Sequence, residues 1–274
     1  MATGKDYAKI AQAAITTPSK DRPPRWCIYS RNKKGKTRFC LSAPSSLVID
    51  PENGTDEYEK FAAATGSKVW HINQWEDVDD VWGYLRTGGY KNHKWVSFDG
   101  GSRMYRMALR FVKHKQMERD LDVRPDQIEK RDYGRANDML EQMLHNLNTL
   151  PIGVIYTTQE RFITLDEETS DDTDVETTNV NYVVDLPKGA RASLLSIVDV
   201  IGRLYVVRTD VKYRDNEGKV RTKENVQQRR LWLEPHVSYD TGYRSEFVLP
   251  PYLRNPTVPR LAQLIKEGPK KNGD

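Results

Sequence analysis

Arg25-Trp26-Cys27-Ile28-Tyr29-Ser30-Arg31-Asn32-Lys33-Lys34-Gly35-Lys36-Thr37 is the stretch on which the reading of this chain turns. An apolar run closes on Ser-x-x-x-x-Gly-Lys-Thr, and Arg38-Phe39-Cys40-Leu41 then has the character of a helix start. Strand, loop and helix N-terminus in that order form an anion site, because unpaired backbone N–H groups and the helix dipole face the loop. In such a site Lys36 reaches the β- and γ-phosphates of a nucleotide, and the Thr37 hydroxyl ligates Mg²⁺. Ser30 through Arg38, with Arg31, Asn32, Lys33, Lys34 and Gly35 between them, is the candidate nucleotide-binding loop. The motif normally opens with Gly, and here Ser30 holds that place. A Gly-Lys-Thr tripeptide alone is a weak signal in a lysine-rich chain, so the neighbouring elements must decide.

Leu47-Val48-Ile49 predicts a second buried strand, closing on Asp50-Pro51-Glu52-Asn53-Gly54. Lys94-Trp95-Val96-Ser97-Phe98-Asp99 and Gly153-Val154-Ile155-Tyr156-Thr157-Thr158 predict two more, the last ending at Gln159-Glu160-Arg161. Val69-Trp70-His71-Ile72 is a shorter one. Helices are expected over Tyr58–Ala64 and over Asp77–Arg86, where Val78, Val81, Trp82 and Leu85 recur at helical spacing. Another is expected over Tyr133–Leu147, whose stripe is Met139, Leu140, Met143, Leu144 and Leu147. Residues 103–130 read as one charged helical segment. This alternation predicts βαβ units and a mostly parallel sheet flanked by helices. In such a sheet the strand C-termini line one crevice, so Glu52, Asp99 and Gln159 converge on the loop. Asp99 is the carboxylate expected to hold Mg²⁺ through water. Glu52 is placed to orient or deprotonate an attacking water, and Gln159 to sense the γ-phosphate or that water.

After Arg161 the pattern changes. Phe162-Ile163-Thr164 and Asn181-Tyr182-Val183-Val184 predict a hairpin around the acidic stretch Asp166–Glu176. A short helix is expected over Ala192–Val200. Leu204–Tyr213 and the basic residues through Leu233 predict antiparallel strands, and Asn255-Pro256-Thr257 precedes a short amphipathic helix. Residues 1–24 read as a flexible basic arm, 25–266 as one domain and 267–274 as a disordered tail.

The 274 residues are 37% hydrophobic and 30% charged. No apolar run approaches the roughly 20 residues of a membrane helix, and the N-terminus has no secretory h-region. A cytoplasmic protein is expected, with Cys27 and Cys40 as buried reduced thiols. The five histidines show no zinc spacing. The net charge of +4 is unevenly placed: eight Lys/Arg fall between Lys20 and Arg38, and nine between Arg203 and Arg230 against four acids. Such segments suit a polyanion. Lys212, Arg214, Lys219, Arg229 and Arg230 are the DNA-contact candidates, each of which could equally belong to an ordinary solvated face.

Beyond the loop, the sequence carries Val48-Ile49-Asp50-Pro51-Glu52-Asn53-Gly54, Val96-Ser97-Phe98-Asp99-Gly100 and Asp132-Tyr133-Gly134. Val154 to Arg161, Leu186-Pro187-Lys188-Gly189, Val198 to Gly202, Tyr243-Arg244, Leu249-Pro250 and Asn255-Pro256-Thr257 follow. In this order of motifs, over about residues 25–266, the chain resembles bacteriophage RecA-like P-loop ATPases, the phage AAA-domain nucleotide-binding proteins. It looks most like the minimal RecA-core single-strand annealing recombinases of the Sak type. The resemblance implies a RecA-like core with an antiparallel C-terminal extension, ATP with Mg²⁺, and single-stranded DNA as partner. It also implies a self-assembling ring or filament, with a phage single-strand binding protein as a further partner and the host cytoplasm as location. Carried over by position, Lys36 and Thr37 bind phosphate and Mg²⁺, Asp99 is the Walker B acid, Glu52 activates water and Gln159 is the sensor. Arg244 is either a finger reaching a neighbour's γ-phosphate or a structural residue. Ser30 departs from the family's Gly, and a non-Gly residue at positive φ there costs about 1 kcal/mol.

The expected function is therefore ATP binding and hydrolysis coupled to single-stranded DNA in recombination or replication. The alternative is a nucleotide-binding loader or adaptor without significant turnover, which strain at Ser30 would favour. No arginine-rich lid follows Asp99, which argues against a small-molecule kinase.

Overall fold

A computed structural model of the protein describes residues 22–120, 124, 127–164, 180–214 and 217–269. The strand β1 (Arg25–Ser30) is buried along its whole length. Both faces are covered, as a central parallel strand requires. Trp26 and Ile28 pack on one face with Phe39, Val48, Ile155 and Leu231, while Cys27 and Tyr29 pack on the other with Ile49, Phe98, Met104 and Leu140. The first face lies under α1 (Lys36–Leu41) and the C-terminal α7 (Val258–Glu267). The second lies under α3 (Trp75–Arg86), α4 (Gly101–Met117), α5 (Lys130–Asn148) and α6 (Lys188–Ile197).

The remaining elements are β2 (Ser46–Asp50), α2 (Glu59–Thr65), β3 (Lys68–His71), β4 (Trp95–Asp99), β5 (Gly153–Thr164) and β6 (Val180–Val184). After α6 come β7 (Val200–Arg214), β8 (Val220–Trp232), β9 (Gly242–Tyr243) and β10 (Tyr252–Arg254). They form one ten-stranded sheet in the order β10-β8-β7-β1-β5-β4-β2-β3, with β6 on β5 and β9 on β7. From β3 to β1 every pairing along this path is parallel, and β8 and β10 are antiparallel additions. This is a mostly parallel α/β sheet flanked by helices, with an antiparallel C-terminal extension, as the sequence led us to expect.

Three elements differ from expectation. The segment 103–130 is not one helix: α4 stops at Met117, and α5 starts afresh at Lys130 behind a capping box. There Asp132 accepts the Glu129 N–H at 2.9 Å, a local stop that charge-rich periodicity did not reveal. The helix expected over Ala192–Val200 lies earlier, at Lys188–Ile197 with Pro187 before it. Val200 cannot be helical because it is paired with Trp26. Finally β7 begins before Leu204. Its first residues run parallel to β1, with Tyr29 opposite Arg203, and from Arg203 onward it also pairs antiparallel with β8.

The hairpin of Phe162–Thr164 with Asn181–Val184 is present, Phe162 facing Tyr182. Cys27 and Cys40 are free and buried. At the end of the expected arm, Arg22 donates to the Ile197 carbonyl (3.2 Å) and the Pro24 carbonyl accepts the Val154 N–H (2.9 Å). Residues 1–21, the acidic stretch Asp166–Glu176, the turn residues Asp215 and Asn216, and residues 270–274 lie outside the described residues. Among the described residues no helix is long and apolar enough to cross a membrane.

Candidate nucleotide-binding site

Strand register brings the chemistry together. Ser30, the last residue of β1, lies opposite Gln159 of β5, and Asp99, the last of β4, lies opposite Thr157 of the same strand. Asp50 ends β2 one strand further out. Parallel direction then puts all these ends on one edge of the sheet.

The loop between β1 and α1 takes left-handed backbone at Lys33 (φ 59°) and Gly35 (φ 107°). Ser30 does not. It is buried, extended, and donates its hydroxyl to the Arg31 carbonyl at 2.8 Å. The strain expected at Ser30 is therefore absent there, and a left-handed cost of about 1–2 kcal/mol falls on Lys33 instead. The Lys36 ammonium folds back over the loop, 3.2 Å from the Ser30 carbonyl, 3.3 Å from its hydroxyl and 3.4 Å from the Arg31 carbonyl. Burial pushes its pKa down, while Asp99 and Glu52 pull it up.

Asp99 is 6% exposed. Its carboxylate accepts the Thr157 hydroxyl at 2.7 Å and also bonds the Thr37 hydroxyl. Burial raises its pKa against those two hydrogen bonds. Glu52 is held by a residue the sequence reading passed over, the fully buried Asp50. The Asp50 carboxylate accepts the Glu52 N–H (2.9 Å), the Thr55 N–H (2.9 Å) and the Thr55 hydroxyl (2.7 Å), fixing the turn that carries Glu52. Gly100 (φ 138°) lets this turn close on β4. A Cβ there would stand 3.0 Å from Pro51 Cγ and 3.6 Å from the Glu52 carboxyl carbon. Glu52 has a raised pKa, first through burial and then through Asp99, with Lys36 and Arg106 opposing. Lys36, Thr37, Glu52 and Asp99 thus share one field, and Gln159 stands beside the start of the loop.

The Thr37 hydroxyl and the Asp99 carboxylate are hard oxygen donors already in contact, the donor type that suits Mg²⁺. Among the described residues no cluster of three or more His, Cys, Asp and Glu could hold a metal by itself. A cation at Thr37 and Asp99 would share its coordination with phosphate oxygens and water. A cavity of about 400 Å³ between α3 and α5, lined by Trp75, Trp82, Phe98 and Met143, holds no basic group and suits no polyanion.

Other predicted residues are dispersed. Arg31 is an exposed loop cation bound to Glu160 at 3.1 Å. Glu160 is itself buried and binds Arg203 of β7 at 2.6 Å. Arg38 lies over the Phe61 ring at 4.5 Å. Arg244 is beside Asp199 and Ser196, whose carbonyls accept its N–H (2.7 Å) and its guanidinium (3.0 Å). That is the N-terminal end of β1, roughly 20 Å of strand from the loop. The five DNA-contact candidates do not form one patch. Lys212, Arg214 and Lys219 belong to the far end of the β7–β8 hairpin, which pairs Arg214 with Val220. Arg229 and Arg230, adjacent in β8, point to opposite faces. Arg230 stacks 4.4 Å from the Tyr252 ring. Arg229 instead lies on the phosphate loop, its Nε 2.8 Å from where a Cβ on Gly35 would stand. Glu160 adjoins the quoted Gln159 and could have been suspected from it, but nothing local marks Arg203 or the contact of Arg229.

The sequence profile of the AAA domain family matches residues 22–245. The chain belongs to that family. It is a P-loop NTPase of the AAA type, a class that generally binds ATP with Mg²⁺. No curated protein sequence matches it. Among solved structures it is similar to a DnaB-like replicative helicase described with its interactions with primase, at 14% identity and a TM-score of 0.40. That likeness covers 81% of this chain and 58% of the helicase chain, so this chain spans little more than half of that length. It is also similar to a KaiC-like protein of the archaeon Pyrococcus horikoshii OT3, at 12% identity and a TM-score of 0.39, covering 88% of this chain and 99% of that one.

Proposed function

We propose that this AAA-family chain hydrolyses ATP and acts on single-stranded DNA in recombination or replication, as a phage RecA-like protein of the Sak type. The observation that carries the ATP reading is the closeness of Lys36, Thr37, Glu52 and the buried Asp99 at one end of the sheet, where Lys36, Glu52 and Asp99 act on one another's charge and Thr37 bonds Asp99. Lys36 binds the β- and γ-phosphates, and the loop N–H groups hold their oxygens. Thr37 and Asp99 would hold Mg²⁺, which would supply positive charge to the phosphate oxygens. Glu52 in its ionised form takes a proton from water as the water oxygen bonds the γ-phosphorus and the bond to the β-phosphate oxygen breaks, leaving ADP and phosphate. Gln159 senses the γ-phosphate. Arg229, which has no ion pair among the described residues, adds a cation from β8 to the bound nucleotide. Arg244 faces away from its own loop, so its part as a finger requires a neighbouring copy, with ATP bound between subunits of a ring or filament.

Ser30, extended and unstrained, gives no reason to prefer a non-hydrolysing loader or adaptor. The test is a steady-state ATPase assay with and without single-stranded DNA. Lys36→Ala should lose nucleotide binding, and Glu52→Gln should bind without hydrolysing. An unchanged rate in Glu52→Gln removes Glu52 from its role, and no turnover in the wild-type chain under either condition overturns the enzymatic reading.

A further inference from the structure

The extension β7–β8–β10 has one core face and one open face. Leu204, Leu231 and Leu253 are in register and buried. The residues between them point the other way. Register sets Arg203, Trp232 and Tyr252 side by side in one row, and Tyr205, Arg230 and Arg254 in the next. No acidic side chain stands in either row. The Arg230 guanidinium lies 4.4 Å from the Tyr252 ring centroid and bonds the Tyr205 hydroxyl, while Arg254 bonds the Tyr252 hydroxyl. Trp232 and Tyr252 are near parallel, with centroids 6.4 Å apart. The rings continue beyond the rows: His236 stacks on Tyr239 at 4.1 Å, and Tyr239 meets Tyr182 at 5.9 Å. Arg203 lies over both tyrosines, at 4.3 and 5.0 Å, and pairs with Glu160. Arg230 and Arg254 have no carboxylate partner among the described residues.

Aromatic rings and unpaired arginines alternating on an antiparallel face suit one kind of ligand. Bases stack on the rings regardless of sequence, while the phosphates between them meet the guanidinium groups. A duplex hides its bases and could not use the rings. A protein partner matched to this face would have to bring acidic groups to two arginines that lack a carboxylate and aromatic groups to the rings at once, whereas every nucleotide of a single strand brings both.

We propose that the face formed by Arg203, Tyr205, Arg230, Trp232, Tyr252 and Arg254 binds single-stranded nucleic acid by base stacking and phosphate pairing. This rests on the DNA reading above and moves the contact away from the Lys212, Arg214 and Lys219 end of the hairpin.

The test uses the full chain with fluorescent oligo-dT and oligo-rU, read by anisotropy across a salt series. Tyr252→Ala and Trp232→Ala should each weaken oligo-dT binding by about tenfold or more. Arg230→Ala with Arg254→Ala should flatten the log–log salt slope by about 1.4. ADP affinity and molecular mass by light scattering should stay unchanged. Should Trp232→Ala fail to fold, the exposed Arg254→Ala and the edge variant Tyr252→Leu carry the test. If wild type binds oligo-dT and these variants bind it equally well while Lys212→Ala, Arg214→Ala and Lys219→Ala lose it, this face is not the site, though the DNA reading stands. Wild-type binding to oligo-rU alone, lost in the same variants, keeps the face and removes the DNA reading. No binding to either strand removes both. Variants that fall to a smaller mass assign the face to contact between copies and overturn the proposal.

Discussion

Ser30→Gly restores the residue type usual at the head of this loop, and the structure predicts that it harms the protein. Ser30 is an extended, fully buried strand residue paired with Gln159, so glycine has no left-handed conformation to relieve. Glycine within a strand costs about 0.5–1 kcal/mol in backbone entropy. Losing the hydroxyl bond to the Arg31 carbonyl costs about 0.5–1.5 kcal/mol more. The sum, about 1–2.5 kcal/mol, corresponds to a Tm lower by about 2–10 °C for a chain of this size. Lys33→Gly should do the opposite. Lys33 is exposed at φ 59°, and glycine removes a left-handed cost of about 1–2 kcal/mol while adding about 0.5–1 kcal/mol of entropy. A thermal scan without nucleotide should therefore order the proteins Ser30→Gly, wild type, Lys33→Gly, from least to most stable, and Ser30→Gly should not tighten ADP binding. The reverse order, or an ADP affinity raised tenfold in Ser30→Gly, would refute the placement of strain.

Other outcomes follow from the same site. Glu52→Gln should lower kcat by about 10²–10⁴ with nucleotide affinity retained, read by ATPase rate and by calorimetric titration. Asp99 and Glu52 have pKa values raised by burial, so the folded chain holds their protons to higher pH than the unfolded chain does. Nucleotide-free stability should then fall as pH rises from the ordinary carboxylate range through the raised values, and Asp99→Asn should flatten that fall in a pH series of thermal scans. A stability that rises over that window in the wild type contradicts the assignment. Gly35→Ala, at φ 107° and 2.8 Å from Arg229 Nε, should cost about 1–3 kcal/mol; adding Arg229→Ala should return the steric part and leave the backbone part, as a double-mutant cycle would show. Arg229→Ala alone should weaken ATP binding about tenfold without altering the thermal scan of the nucleotide-free chain.

Much of the fold was legible because parallel strands buried on both faces leave continuous apolar runs, and turn residues mark their ends. Val48-Ile49-Asp50 and Phe98-Asp99 were readable for that reason, and their convergence followed from strand direction alone. What escaped was set by long-range pairing. Val200 to Arg203 carry no local mark separating them from the helix before, and only the register with Trp26 to Tyr29 makes them a strand. Asp50 had no role in the sequence beyond ending a strand, because its three hydrogen bonds form only when the turn closes. Arg229 and Arg230 were both DNA-contact candidates, since opposite pointing is a property of the strand and not of the two letters. The cost of replacing Gly was assigned to the wrong residue because a motif fixes spacing, whereas φ is fixed by where β1 ends.

Glu160 has a consequence of its own. One buried carboxylate is the counter-ion of both Arg31, in the phosphate loop, and Arg203, at the edge of the open aromatic face. An anion that draws Arg31 away from Glu160 leaves Arg203 to claim the carboxylate alone, and a phosphate that claims Arg203 frees the carboxylate for Arg31. Loop and face are thereby two customers of one charge. Linkage requires any such influence to run equally in both directions, so the factor by which ATP changes the affinity of the face must be the factor by which a strand on that face changes the affinity for ATP.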